Sequence, residues 1–386
     1  MRKLLLLASA MIFFDVAFFA AIAPLLPGYV DELGLSKTAA GILSASYAAG
    51  TLLGSLPAGY VASRVGPRRT VISGLLILGC SSVVFGFAEQ IVLLDVSRFI
   101  QGIAGALIWS GALTWLITTA PEERRGAIIG SALGTAVAGA LLGPALGAIA
   151  GSVGTGPVFS SVLALTILLS FIASKMPEPE AAPQRQSLTE VMKTLVSRPV
   201  MSAAVLVAVP SLMFGAIEVL VPLRIDELGG GHGLIAVGFI AGAGMEAVLA
   251  PLAGRISDRV GRRLPYVAGL SVCVFAMVAI ALVTTLGEVI AALVLTSLGA
   301  GLCFAPALTQ ISDAAEASSL HQGFASGLSN MAWASGQVIG GVGGGVVAGY
   351  TGYTAPSLAI ALLLALTVVY AFRTMEPTAE GQPAPS

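Results

Sequence analysis

No Asp, Glu, Lys or Arg occurs between Arg125 and Lys175, a run of 49 residues, or between Glu316 and Arg373, a run of 56. A helix needs about 20 predominantly apolar residues to cross the hydrocarbon of a bilayer. Each run is therefore long enough for two crossings and the turn between them. The turns are legible: Gly151-Ser152-Val153-Gly154-Thr155-Gly156-Pro157 sits midway in the first run, and residues 349–356 divide the second. Glycine and proline at that density break helices.

The rest of the chain agrees. Its 386 residues are 56% apolar and 10% charged, with a mean hydropathy of +0.94, against roughly 25% charged residues in a soluble domain. That excludes a soluble enzyme, a nucleic-acid binder and a disordered chain. A net charge of -1 gives no long-range pull toward polyanions. Barrel strands are segments of roughly 10 residues, far shorter than these, so an all-α integral membrane protein is predicted. The twelve predicted spans lie at about 4–27, 38–62, 70–88, 91–118, 126–150, 157–174, 200–224, 234–254, 264–286, 289–312, 323–349 and 353–372.

Of the 19 basic residues, all except Lys37, Arg98 and Arg224 fall on one side of the bundle, together with both termini. By the positive-inside rule that side is cytoplasmic, in an inner or plasma membrane. Arg2-Lys3, the apolar run after them and Ala8-Ser9-Ala10 also fit a cleavable signal peptide, but the repeat described next requires this segment as a permanent helix. Cys80, Cys273 and Cys303 all fall in spans. An odd number without partner spacing points to small packing residues, not to a disulfide framework or a metal site.

Pro27-Gly-Tyr-Val-Asp31-Glu32-Leu33-Gly34 returns 195 positions later as Pro222-Leu-Arg-Ile-Asp226-Glu227-Leu228-Gly229, and Gly59 to Arg68 returns at the same offset as Gly254 to Arg263. Gly130, Gly139 and Gly143 return at an offset of 197 as Gly327, Gly336 and Gly340. The chain is thus read as two six-helix bundles, 1–174 and 200–373, joined by a Pro-rich cytoplasmic linker at 175–199 and ending in a tail at 374–386. Six is even, so the copies share orientation, and a site between parallel repeats can open to either face as they rock.

These residues resemble the major facilitator superfamily over essentially the whole chain. Gly59-x-x-x-Ser63-Arg64-x-Gly66-x-Arg68-Arg69 is similar to its loop motif between helices 2 and 3, and Arg98-x-x-Gln101-Gly102 to its helix-4 motif. Gly130, Gly139, Gly143-Pro144 and Gly147 resemble the helix-5 motif of its drug:proton antiporters. Asp15 with Pro24-Leu-Leu-Pro27 resembles helix 1 of tetracycline efflux proteins and vesicular monoamine transporters. The family's loop Asp is Ser63 here, although Asp258 keeps it in the second copy, and the last glycine of the helix-5 pattern is Ala148. The resemblance implies a proton-coupled exporter of drugs or small lipophilic metabolites.

The motifs also have readings of their own. Gly66 and Gly261 permit tight turns, and Arg64, Arg68, Arg69, Arg259, Arg262 and Arg263 anchor to headgroups. A conformational latch adds to this if Asp258 pairs with an Arg or caps a helix in one state only; Ser63 would then weaken the first copy of it. Glycines on helix 5 let backbones approach closely, and a bend at Pro144 is expected to help seal the path between the halves.

A charge at the bilayer centre costs at least about 2.5–3.5 kcal/mol. Asp15 falls near the middle of its span and Glu246 near the middle of its own, while Glu218 lies in the outer third of helix 7. These acids are the candidates for proton coupling, with Arg98, whose expected partner is Asp95 at i-3 or the distant Asp15. Gln101, Trp109, Asn330, Trp333, Gln337 and Tyr47 are candidates for a substrate cavity; aromatic faces hold lipophilic cations. His232 and His321 are read as solvated loop residues.

Three functions compete: a proton-coupled exporter, a transporter of sugars, amino acids or other small metabolites, and a non-transporting scaffold. No nucleotide loop, metal cluster or nucleophile constellation is present, so no enzyme and no cofactor are expected. The expected partners are a small-molecule substrate, protons and lipid, with no nucleic acid, and the chain is expected to act as a monomer.

Overall fold

The structure is a computed structural model. It describes residues 1–121, 125–178, 193–317 and 322–375; within the helices, the side chains of a few positions, Asp258 and Gly130 among them, lie outside that description. Most of the predicted linker, His321 and the tail beyond 375 also lie outside it.

The helices are α1 (Arg2–Ala20), α2 (Ile22–Leu33), α3 (Lys37–Val65), α4 (Pro67–Gly86), α5 (Ile91–Thr119), α6 (Arg125–Val153), α7 (Thr155–Ser174), α8 (Arg198–Glu227), α9 (His232–Val260), α10 (Arg263–Leu282), α11 (Leu286–Ala317), α12 (Gln322–Thr351) and α13 (Thr354–Thr374). No strand occurs among the described residues. Among the described residues, eleven crossings are long and apolar enough to be recognised by hydropathy, with α1 and α2 counted as one. The twelfth, α12, is as long as the others but carries glycine at nine positions and Gln337, which dilute its hydropathy without shortening it.

The first crossing runs to Leu33, beyond its predicted end, and breaks at Ala21. Proline at 24 has no N–H for the carbonyl of Ala20, and its ring crowds that turn. The backbone ladder therefore opens just ahead of it. Gly34, in the left-handed region at φ 61°, ends α2, and the Ser36 hydroxyl caps α3 by accepting from the Ala39 N–H at 3.2 Å.

Lipid offers little hydrophobic drive for helix association, so backbones must approach closely. The repeat is built on that rule. A Cβ on Gly143 would sit 2.6 Å from the Ala17 carbonyl oxygen, and one on Gly139 or Gly147 would meet the carbonyls of Phe13 and Ala21. In the second copy Gly336 and Gly340 meet the carbonyls of Ala208 and Leu212. Helix α6 thus packs on α1 as α12 packs on α8. This glycine face closes a contact within one half; α6 reaches the other half through its opposite face, where Leu141 lies against Gly244 of α9.

Two apolar cores result, one built mainly from residues 4–176 and one from 195–375. The seam between them follows α3 and α12, from Gly41 against Gly341 and Gly345 at one end to Ser55 against Gly327 at the other. Outside the cores, Phe87, Val92, Phe171, Phe275, Leu282 and Leu362 are exposed, an apolar surface suited to lipid.

Among the described residues the first loop motif works through an acid that sequence reading missed. Gly66 sits at φ 97°, and a Cβ there would run into the Glu178 carboxylate. Arg68 pairs with Glu178 at 3.0 Å and donates to the Met176 carbonyl at 3.0 Å. Ser63 donates to the Tyr60 carbonyl of its own helix at 2.8 Å and ties no helices together. In the second copy Gly261 sits at φ 83°, and Arg262 pairs with Asp313 at the end of α11. Gly254 has open space where a Cβ would lie, so close approach does not explain it. We expect Ser63→Asp to offer Arg68 a second acid and change transport turnover by up to about fivefold, the equivalent of a surface pair of about 1 kcal/mol. Unchanged turnover in vesicles would remove this loop from the cycle.

Candidate functional site

The polar centre gathers on the bend of the first crossing. Asp15 is 1% exposed. Tyr47 of α3 donates to its Oδ1 at 2.9 Å, and Trp109 of α5 donates through Nε1 to its Oδ2 at 3.1 Å. Both donors are neutral, and among the described residues no ion pair holds the carboxylate. Tyr47 and Trp109, predicted to line a substrate cavity, are here the direct partners of the acid.

Arg98 pairs with neither acid proposed for it. Its guanidinium donates to the carbonyls of Phe19 at 3.2 Å and Phe18 at 3.5 Å and to Gln101 Oε1 at 3.2 Å. It lies over the rings of Tyr47, Phe19 and Phe85, at 5.1 to 5.9 Å from their centroids. The physical reason is the helix break: the turn ahead of Pro24 has carbonyls to spare, and Arg98, 1% exposed, takes them. Asp95 instead meets the Ser46 hydroxyl at 3.5 Å. Gln101 uses both ends, since its Nε2 donates to Ser82 at 3.1 Å. It is an orienting group within the first half.

The second half contributes α8 and α12. The Gln337 amide faces the Glu218 carboxylate, and the Arg98 charge is felt by both Glu218 and Asp15. Trp333 meets Phe19 edge-on at 5.5 Å, and Phe19 also packs on Tyr47 at 4.8 Å. Phe19 therefore bridges the halves, and sequence reading passed over it because one Phe among many apolar residues in a span carries no signal. Asn330 lies one turn before Trp333 on α12 and is half-buried. Glu246 stands apart from this cluster, with its backbone against Gly301 of α11.

His232 is a second surprise. It is not a loop residue but the first residue of α9, half-buried, with Nδ1 2.5 Å from the Pro24 carbonyl oxygen.

Fold and centre together define a polytopic helical bundle of two repeated halves with ionisable groups buried where they meet, the architecture of a secondary transporter. The sequence profile of the Major Facilitator Superfamily matches residues 5–320 and again 233–386. The chain belongs to that family, whose transporters handle small-molecule substrates. It is 27% identical over 299 residues to Multidrug resistance protein MdtG of Escherichia fergusonii, covering 74% of this chain and 73% of that one. It is 30% identical over 130 residues to the MFS-type transporter ppzB of Metarhizium majus; the match covers 32% of this chain and only 28% of that protein's length. In fold it is similar to a crystal structure of a bacterial homologue of the human lysosomal transporter Spinster, with a TM-score of 0.76 at 15% identity over 96% of each chain.

Proposed function

We propose that this transporter exports lipophilic, cationic small molecules in exchange for protons by alternating access. In this reading the bundles 1–174 and 200–373 rock about their seam as a monomer in the cell membrane, with the linker 175–199 and both termini in the cytoplasm. Asp15 carries the exchanged proton. One observation carries the proposal: a fully buried carboxylate accepts from two neutral donors and, among the described residues, forms no ion pair. A carboxylate locked in a salt bridge cannot take up a proton without abandoning a charge in a dry site. One held by Tyr47 and Trp109 can, because both hydroxyl and indole still find an acceptor on the protonated acid.

A substrate cation fits the same place. It would find Asp15 and Glu218 on opposite halves, with the faces of Phe19 and Trp333 between them, and Asn330 and Gln337 alongside. Substrate and proton then compete for Asp15, which couples them. Glu246 serves as a further acid on α9, and the turns at Gly66 and Gly261, with Gly59, Arg64, Asp258 and Arg259, as pivots of the motion. The name of MdtG, a multidrug resistance protein, supports the substrate class.

Purified protein in liposomes with an acidic lumen should accumulate ethidium or tetraphenylphosphonium, and a protonophore should abolish the accumulation. Failure to move either cation would overturn the proposed substrate class; uptake insensitive to the protonophore would overturn the coupling.

A further inference from the structure

His232 joins the two halves at the end of the bundle remote from the first residues of α1. Its Nδ1 belongs to the second half and its partner, the Pro24 carbonyl, to the bend of the first. A carbonyl only accepts, so Nδ1 carries a hydrogen. The tautomer is thereby fixed, and Nε2 holds either a lone pair or a second proton that makes the ring a cation. The ring occupies a slot cut by two glycines. A Cβ on Gly28 would lie 3.4 Å from His232 Cε1, and one on Gly151 3.3 Å from its Cγ.

The charges at this end of the bundle are predominantly acidic. The end of α2 carries Asp31 and Glu32. From α8 comes Asp226, which interacts with both His232 and Asp31. Asp31 and Asp226 are equivalent positions of the repeat, so closing this end brings two copies of one carboxylate toward each other. The other charges of α8 are already engaged: Glu227 pairs with Lys37 of the first half at 2.8 Å and with Arg224 at 3.4 Å, and accepts from Tyr353 at 2.7 Å. The end of α6 and the first turns of α9 bring no charge.

We infer that His232 is a proton-operated catch between the halves. As a cation it keeps its grip on Pro24 and offsets Asp226 in its approach to Asp31, so this end stays shut; as a neutral ring it leaves the two carboxylates to repel. Imidazole changes charge between about pH 5 and 8. The inference uses the orientation proposed above: with this end extracellular, acidity outside both loads Asp15 and closes the door behind the proton.

The test places nitroxides at Glu89→Cys and Gly287→Cys, exposed positions of the two halves at this end, with Cys80, Cys273 and Cys303 replaced by alanine and the protein in lipid nanodiscs. Electron–electron distances are read at about pH 8 and about pH 5. All samples carry Asp15→Asn, so the proton site cannot produce the signal. We expect acidification to raise the ratio of short to long distances by about tenfold. His232→Asn keeps a donor for Pro24 but cannot become a cation, and should abolish the shift. Asp226→Asn, independent of any His232 variant, should move the midpoint to lower pH. A shift that survives His232→Asn, or no shift at all, would overturn the catch. Ethidium uptake by the otherwise native chain reports separately on the antiport reading.

Discussion

Asp15→Asn is expected to reduce uptake of ethidium driven by a pH gradient by about a hundredfold. Asparagine keeps an oxygen for Tyr47 and nearly the same volume, so fold and cavity persist while the exchangeable charge is lost. The size follows from what the acid does: placing an ion at the centre of a membrane costs about 3 kcal/mol, and the wild-type carboxylate meets that cost only by alternating between a proton and a substrate cation. The variant has nothing to alternate. Exchange of ethidium across vesicles without a gradient should be less affected, because alternating access itself needs no titration. Tyr47→Phe should fall between, since one hydrogen bond to a charged group contributes about 1.5–3 kcal/mol. Gradient-driven uptake by Asp15→Asn at the wild-type rate would remove the site assignment.

The largest expected loss of stability comes from Gly102→Val. Where α3 crosses α5, Gly50 faces the Phe99 carbonyl and Gly102 faces the Tyr47 carbonyl, so close that a Cβ on either would overlap the backbone opposite. Thr51 fastens the crossing by donating to the Gly102 carbonyl at 3.2 Å. Overpacking usually costs about 1–3 kcal/mol, and here the obstacle is backbone on a rigid helix, which cannot turn aside. We expect the upper end of that range, a fall in Tm on the order of 10 °C. Function should fail with it, because Tyr47 and Arg98 sit within about one turn of the crossing and would be carried away from Asp15 and from the Phe19 carbonyl. Gly134→Val is the control, since its Cβ meets nothing within 4 Å. A thermal scan of detergent-purified protein compares the two; equal loss in both would mean that helix propensity, not the crossing, sets the cost.

Sequence made much of this visible. Charge-free runs gave the spans, offsets gave the repeat, and a lone acid in a span pointed to Asp15. What remained hidden is tertiary. Arg98 was read against Asp95 and Asp15, yet its partners are the Phe18 and Phe19 carbonyls beside the helix break and the Gln101 side chain. Pro24 was visible as a motif residue, but not as a source of unpaired backbone. Tyr47 and Trp109 were recognisable as polar aromatics in spans, and only the fold shows that they converge on one carboxylate. Glu178 sits in a stretch that composition marks as a linker, and nothing local assigns it to Arg68. His232, in a run of glycines, reads as solvated until the opposite half brings Pro24 to it. The helix-5 glycines were correctly read as a close-packing face, but periodicity does not say which neighbour the face meets.

The central claim is that the Asp15 carboxyl gains and loses a proton as the transporter works. Infrared difference spectroscopy of the protein in lipid observes this directly. On adding ethidium, the wild type should lose a protonated-carboxyl stretching band and gain carboxylate absorption, a change absent from Asp15→Asn. A carboxylate at Asp15 that stays ionised from about pH 5 to about pH 9, with or without ethidium, would contradict the account.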